Sequence, residues 1–318
     1  MSLPRPALDP DLAARLAGMP LGVMLDAEIL MQMRQYRTPV ETYLEGRSLD
    51  HREVEVETTD GFAMPLSIFR QAGANTDAAP CIYWVHGGGM VMGDRFANLD
   101  IPLEWLKRFG AVVVTVDYRL APEVSGSTLV EDCYRGLTWV AAHAAGLGID
   151  PARIIVAGAS AGGGLAAGMV LMARDLDGPT IAAQILICPM LDHRNDTTSS
   201  RQYAGDPGVW TQEKNAFGWK SVLGGAGEAE VSPYISPARA SDLSGLPTAY
   251  IDAGTAEVFR DENADYASRI WAAGGQAELH IWAGGFHGFD AMFPDAPLST
   301  AARQARTAWL GRFLNAAA

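Results

Sequence analysis

The chain has 318 residues, of which 48% are hydrophobic and 19% are charged. A chain of this length and composition can bury a large core, which excludes a disordered protein and a small domain that depends on disulfides. The formal net charge is −13 at pH 7, so most of the surface repels phosphate groups, and we expect no nucleic-acid partner.

The cysteines and two local segments indicate the cellular location of the protein. Cys81, Cys133 and Cys188 lie in apolar runs without metal-binding spacing, which favours buried thiols in a reducing compartment and no metal site. Residues 1–10 contain three prolines and no apolar segment, so they do not predict a secretory signal. Residues 154–173 are uncharged, but their five glycines favour a strand, a turn and a helix over a membrane span. We therefore predict a cytoplasmic protein without a membrane span.

The first elements along the chain are short. Residues 8–33 carry apolar side chains at mostly helical spacing, which predicts two short amphipathic helices forming a lid or an N-terminal arm. Residues 53–57 and 64–70 flank the turn formed by Asp60 and Gly61, and they predict an antiparallel hairpin.

From residue 79 onward, short apolar runs alternate with helical patterns. Runs that are apolar on both faces are typical of parallel strands buried between two layers of helices. This alternation predicts a doubly wound, mostly parallel α/β sheet. The predicted strands cover residues 81–85, 111–116, 153–157, 181–188, 248–252 and 277–282, and the predicted helices cover residues 101–109, 129–144, 161–176, 261–273 and 299–314.

One stretch interrupts the alternation. Residues 192–245 separate two predicted strands by far more than the usual loop of ~2–6 residues. They contain Trp210, Phe217 and Trp219. We predict an insertion that packs over the ends of the strands.

Residues 158–162 form the pattern Gly-Ala-Ser-Ala-Gly between a predicted strand and a predicted helix. A sharp strand-to-helix turn of this kind presents Ser160 at the positive end of the helix, where the amide of Ala161 can meet a developing oxyanion. The pattern alone is not specific, and residues 162–167 also match a relaxed dinucleotide-binding fingerprint. That reading requires a carboxylate at the end of the next strand, and none is present there.

A second glycine-rich segment, His86-Gly87-Gly88-Gly89, follows the predicted strand at 81–85. Successive glycines allow the backbone to approach a substrate closely, so the amides of Gly87 and Gly88 are candidate oxyanion donors. We expect His86 to anchor this loop, since a catalytic base must reach the serine hydroxyl.

His287 is the candidate base, because it lies in a glycine-rich loop after the last predicted strand. The chain order serine, acid, histidine places the acid after the preceding predicted strand, where the candidates are Asp252, Glu257 and Asp261. Asp252 lies within the strand, and Asp261 is expected to cap the following helix. Glu257 is left on the loop between them.

With these residues assembled, the chain resembles the bacterial hormone-sensitive-lipase-like (family IV) carboxylesterases of the α/β-hydrolase superfamily. The similarity covers residues 45–318 and includes the segment Asp-Tyr-Arg-Leu-Ala-Pro-Glu at 117–123, Asp132, Trp139 and residues 286–289. It differs at Glu257, which precedes a valine where the family more often has Asp-Pro.

The resemblance implies an α/β-hydrolase fold, hydrolysis of short acyl esters of small molecules, no cofactor and, often, a homodimer. It also implies a cap built from N-terminal helices at residues 1–45 and from a second segment inserted at about 192–245. The catalytic domain would then span residues 46–318.

The sequence thus predicts a serine carboxylesterase. Its predicted catalytic residues are Ser160, His287 and Glu257, its oxyanion donors are Gly87, Gly88 and Ala161, and its acyl pocket is lined by Met90, Trp210, Phe217, Trp219 and Phe286. The same triad could serve an amidase, a lactonase or a deacetylase. A non-catalytic alternative is a small-molecule receptor with the same fold. Such receptors tend to lose the catalytic base, whereas this chain has His287.

Overall fold

The computed structural model describes residues 3–74, 78–227 and 230–316. Within these residues, eight strands form one sheet in the order β1-β2-β4-β3-β5-β6-β7-β8. The strands are β1 (Leu49–Glu57), β2 (Ala63–Gln71), β3 (Ala79–Val85), β4 (Val112–Val116), β5 (Ile149–Ala159), β6 (Ala183–Ile187), β7 (Thr248–Ala256) and β8 (Ala277–Phe286).

The predicted hairpin and the predicted parallel sheet are both confirmed. Strand β1 pairs with β2 and β2 with β4 in antiparallel register, while β3 to β8 are mutually parallel. In β3, Cys81, Tyr83 and Val85 belong to one hydrophobic cluster, and Ile82 and Trp84 belong to the other. The sheet therefore separates two cores, which explains why its central strands are apolar at every position.

Helices cover both faces of this sheet, and the predicted ones lie within a few residues of their expected ends. The structure adds α3, α7, α8 and α10. The helices are α1 (Pro10–Leu16), α2 (Ala27–Met33), α3 (Val40–Leu44), α4 (Asp100–Phe109), α5 (Thr128–Ala142), α6 (Ala161–Asp175), α7 (Thr198–Gln202), α8 (Gln212–Leu223), α9 (Arg260–Ala272), α10 (Phe289–Met292) and α11 (Pro297–Ala316). Across the described residues, every helix is too short or too polar to span a bilayer.

Three strands extend further than the sequence predicted, and their ends position the candidate site. Strands β5, β7 and β8 run on to residues 159, 256 and 286. Because these strands are parallel, their carboxyl ends meet at one edge of the sheet. Ser160, Glu257 and His287 directly follow those ends.

The N-terminal arm (residues 3–45) and the inserted segment (residues 192–245) contact each other. The hydroxyl of Thr211 donates to the carbonyl of Val23 at 2.6 Å, and Arg5 pairs with Asp206 at 2.8 Å. The amide of Asp9 in the arm donates to the carbonyl of Gly284 in β8 at 3.0 Å. These contacts hold the arm between the inserted segment and the loop of His287.

Candidate active site

Ser160 lies on a strained turn between β5 and α6. Its backbone has φ 55° and ψ −122°, a conformation that side chains other than glycine seldom adopt. A Cβ on Gly158 would lie 2.3 Å from the carbonyl oxygen of Gly162, and one on Gly162 would lie 2.1 Å from that of Val85. Both flanking positions must therefore be glycine for the turn to form.

A chain of hydrogen bonds connects Ser160, His287 and Glu257. The distance from Ser160 Oγ to His287 Nε2 is 2.9 Å, and that from His287 Nδ1 to Glu257 Oε2 is 2.7 Å. The amide of Gly254 donates to the other carboxylate oxygen of Glu257 at 2.7 Å. Because an ionised carboxylate only accepts, Nδ1 carries the proton, and Nε2 is left to accept from the serine hydroxyl.

The other two candidate acids have different partners. Asp252 is buried and accepts from Arg306 at 2.9 Å. Asp261 accepts from the amide of Ser199 at 2.7 Å, and its backbone lies within the first turn of α9. The expectation that Asp261 caps α9 is therefore wrong, since the capping position belongs to Phe259, whose side chain offers no acceptor.

The glycine-rich loop after β3 lies against the serine turn. A Cβ on Gly87 would lie 2.9 Å from the carbonyl oxygen of Ala159, and Gly88 has φ 114°, where a side chain would be strained. Both glycines line a cavity beside Ser160. Ala161, the third predicted donor, is fully buried at the start of α6 and is not among the lining residues.

His86 anchors this loop, as expected from its position. Its ring is fully buried and stacks on Tyr118 with centroids 4.3 Å apart. Its Nδ1 donates to the carbonyl of Gly87 at 2.7 Å, and the hydroxyl of Tyr118 donates to the carbonyl of His86 at 3.0 Å. Burial lowers the pKa of the His86 imidazole, so the ring remains neutral and fixes the loop without adding charge beside Ser160.

The cavity beside Ser160 and His287 has a volume of about 330 Å³ and a mostly apolar lining. Of the five predicted pocket residues, Trp210 lies in this lining, 6.2 Å from the ring of His287 between centroids. The lining also includes residues that the sequence analysis did not identify, among them Leu25, Met33, Met92, Asn98, Ile101, Val209, Lys214, Asp290 and Met292. They come from segments far apart in the chain and share no local pattern.

The other four predicted pocket residues lie elsewhere, which corrects the sequence-based prediction. Met90 is fully buried in the core, and Phe217 and Trp219 of α8 pack against that same core. Phe286 packs on Leu12 of α1 in a separate cluster. Aromatic side chains of an insertion must bury their own apolar area, and Phe217 and Trp219 do so against the core rather than against the cavity.

Among the described residues, one group has ligand atoms close enough to hold a metal ion. Cys188, Glu257 and His287 place these atoms within 4.8 Å of one another. Both ring nitrogens of His287 already have hydrogen-bond partners, and burial raises the pKa of the Cys188 thiol well above its usual range. The group therefore fits a hydrogen-bonded histidine and carboxylate better than a thiolate metal site.

Comparison with known proteins agrees with the observed fold. The sequence model of the α/β-hydrolase fold family matches residues 82–291. The chain therefore belongs to the α/β-hydrolase family, and the predicted resemblance to its hormone-sensitive-lipase-like members is confirmed.

Several of the similar proteins are named as esterases. Esterase LipI of Mycobacterium tuberculosis is 33% identical over 94% of this chain and 92% of its own length. A solved structure named bacterial heroin esterase has a TM-score of 0.89 at 35% identity and covers 97% of this chain and 98% of its own. The structure of esterase LipW from Mycobacterium marinum has a TM-score of 0.87 at 33% identity, with 98% of each chain covered.

Proposed function

We propose that this protein is a serine carboxylesterase that hydrolyses short-chain esters of small molecules through an acyl-enzyme intermediate. The observation that carries the proposal is the continuous chain of hydrogen bonds, 2.9 and 2.7 Å long, from Ser160 through His287 to Glu257. A nucleophile, a base and an orienting acid in this order are what acyl transfer requires.

In the first half of the reaction, Ser160 Oγ attacks the carbonyl carbon of the ester while His287 Nε2 takes the hydroxyl proton. The amides of Gly87, Gly88 and Ala161 stabilise the oxyanion, each by about 3 kcal/mol in comparable enzymes. His287 then protonates the leaving alcohol, and the acyl group remains on the serine.

In the second half, a water molecule gives its proton to His287 and attacks the acyl carbon. Collapse of this second intermediate returns the proton to Ser160 and releases a carboxylic acid. Glu257 holds the Nδ1 proton of His287 throughout and stabilises the imidazolium that forms in each half.

The same chemistry could cleave an amide, a lactone or an acetylated amine. The names of the similar proteins favour esters over these alternatives. A receptor would need no base, so the hydrogen bond from Ser160 to His287 favours an enzyme over a receptor.

We further propose that the N-terminal arm and the inserted segment form the cap, since Leu25 and Trp210 both line the cavity. The homodimer and the cytoplasmic location stay predictions.

Labelling with a fluorophosphonate probe tests the proposal. We expect the wild-type protein and a Ser48→Ala control, at an exposed serine, to be labelled and to hydrolyse p-nitrophenyl acetate. Ser160→Ala should lose both properties. Labelling that survives in Ser160→Ala, or a wild-type protein without ester turnover, would contradict the proposal.

A further inference from the structure

Lys214 brings a positive charge to the lining of the cavity. It lies in the first turn of α8 and is partly buried. Its Nζ donates to the carbonyls of Gly208 at 2.7 Å and of Val209 at 3.3 Å. An ammonium has three N–H donors, so one remains for a further acceptor.

The histidine and the carboxylate of the lining already have partners. Asp290 pairs with Arg306 at 2.9 Å, and His287 pairs with Glu257. Lys214, in contrast, has no carboxylate within 4.0 Å anywhere in residues 3–74, 78–227 and 230–316. Burial lowers the pKa of its ammonium, and no neighbouring charge offsets this effect.

We propose that Lys214 is a specificity-determining residue that binds a carboxylate carried by the ester substrate. The proposal rests on the proposed esterase function. An uncompensated cation in an apolar cavity gains most from an anionic ligand, since a charge-assisted hydrogen bond replaces the hydration that burial removes. On a protein with a net charge of −13, this local cation distinguishes the cavity from the surface around it.

The alternative to carboxylate binding is a purely structural role for Lys214, and an experiment must distinguish the two. Donation to Gly208 and Val209 fixes the backbone next to Trp210, and a neutral donor could serve that purpose equally well. Loss of a structural role would lower the turnover of all esters alike. Loss of carboxylate binding would lower the turnover of carboxylated esters only.

The experiment compares kcat/KM for matched pairs of esters, because the carboxylate could belong to either half of the substrate. For the acyl half, the pair is the p-nitrophenyl monoester of glutaric acid and p-nitrophenyl 5-methylhexanoate. For the alcohol half, the pair is 4-carboxyphenyl acetate and 4-isopropylphenyl acetate. Within each pair, a carboxylate replaces a branched alkyl group of similar shape.

In one of the two pairs, Lys214→Met should lower the ratio of carboxylated to neutral turnover by about 10- to 100-fold. Lys214→Arg, which keeps the charge, should retain most of the ratio. Lys220→Met, which removes an exposed lysine from the same helix, should leave it unchanged. A ratio in Lys214→Met equal to that of the wild type in both pairs would overturn the proposal. If the wild type hydrolyses none of the four esters, the esterase proposal itself fails.

Discussion

Arg306 and Asp290 form an ion pair 2.9 Å long, with both side chains buried, that joins helix α11 to helix α10, which follows the loop of His287. Arg306 also bonds Asp252 in the middle of β7, so one guanidinium connects the strand before Glu257 with the helix after His287. The two carboxylates that flank the candidate triad thus share a single buried cation.

Replacing Arg306 by methionine should therefore leave two buried carboxylates without the cation that they share. We expect Arg306→Met to lower the free energy of unfolding by about 3–5 kcal/mol, as measured by urea denaturation. The control is Arg312→Met on the same helix, since Arg312 pairs with Glu278 in an exposed ion pair. Its loss should cost less than about 1 kcal/mol. Equal losses in the two variants would show that burial of the pair around Arg306 is unimportant.

A second prediction concerns the acid of the triad. Glu257→Gln should fold normally but favour the wrong tautomer of His287, because the amide can donate to Nδ1. We expect kcat to fall by about 10³- to 10⁴-fold, as measured with p-nitrophenyl acetate. Asp261→Asn is the matched control, since Asp261 bonds Ser199 and not the histidine. Near-normal turnover in Glu257→Gln would remove Glu257 from the triad.

A third prediction concerns acyl-chain length. Trp210 closes the cavity against the glycine-rich loop, where a Cβ on Gly89 would lie 2.4 Å from the indole. The wild type should therefore prefer p-nitrophenyl acetate or butyrate to the palmitate ester. Trp210→Ala should raise kcat/KM for the octanoate ester relative to acetate by about tenfold. Trp271→Ala, at an indole that is 48% exposed on α9, should leave the ratio unchanged. A preference for palmitate in the wild type would exclude a short acyl site.

A fourth prediction concerns the pH dependence of stability. Burial raises the pKa of Glu262 well above its usual range, and one of its carboxyl oxygens accepts from the amides of Leu191 and Asp192. The folded protein therefore holds this proton at pH values where the unfolded chain has released it. The protonated carboxyl group of Glu262 contributes its full stabilisation below the pKa that it has in the unfolded chain, ~4.3. This stabilisation is lost as pH rises toward the pKa of Glu262 in the folded protein, by about 1.4 kcal/mol per pH unit.

Glu262→Gln keeps the acceptor oxygen and cannot titrate. Its free energy of unfolding, relative to that of the wild type, should therefore increase between pH 4.5 and 7.5 in urea denaturation. A constant difference across this range would show that Glu262 ionises in the folded protein as it does in the unfolded chain.

The sequence was most informative where local sterics demand a particular residue type. The glycines around Ser160 and the run after β3 are of this kind, because a single Cβ would collide with backbone a few residues away or on the next strand. The end of β8 shows the limit of the same argument. The glycines of this segment suggested a loop, but Gly285 is part of β8 and lies close to Gly254 of β7. A Cβ on Gly254 would lie 1.9 Å from the carbonyl oxygen of Gly285, so glycine at position 254 permits the two strands to pack closely.

Helix α8 and the cavity lining were missed for different reasons. The helix begins after Thr211, whose hydroxyl accepts from the amide of Lys214, and it ends before Gly224 in the left-handed conformation. Both capping residues are visible in the sequence, but they lie in residues 192–245, for which the sequence predicted only an insertion. The lining of the cavity could not be predicted from the sequence, because Leu25 and Met33 reach the site only through tertiary packing of the N-terminal arm.

The order of the strands has a consequence for synthesis on the ribosome. A nascent chain presents Ser160, after β5, 127 residues before it presents His287, after β8. Helix α11, with Arg306, emerges after both. The serine therefore remains without its candidate base while β6, β7 and β8 are synthesised, and we expect a translation product truncated before His287 to carry an inert hydroxyl.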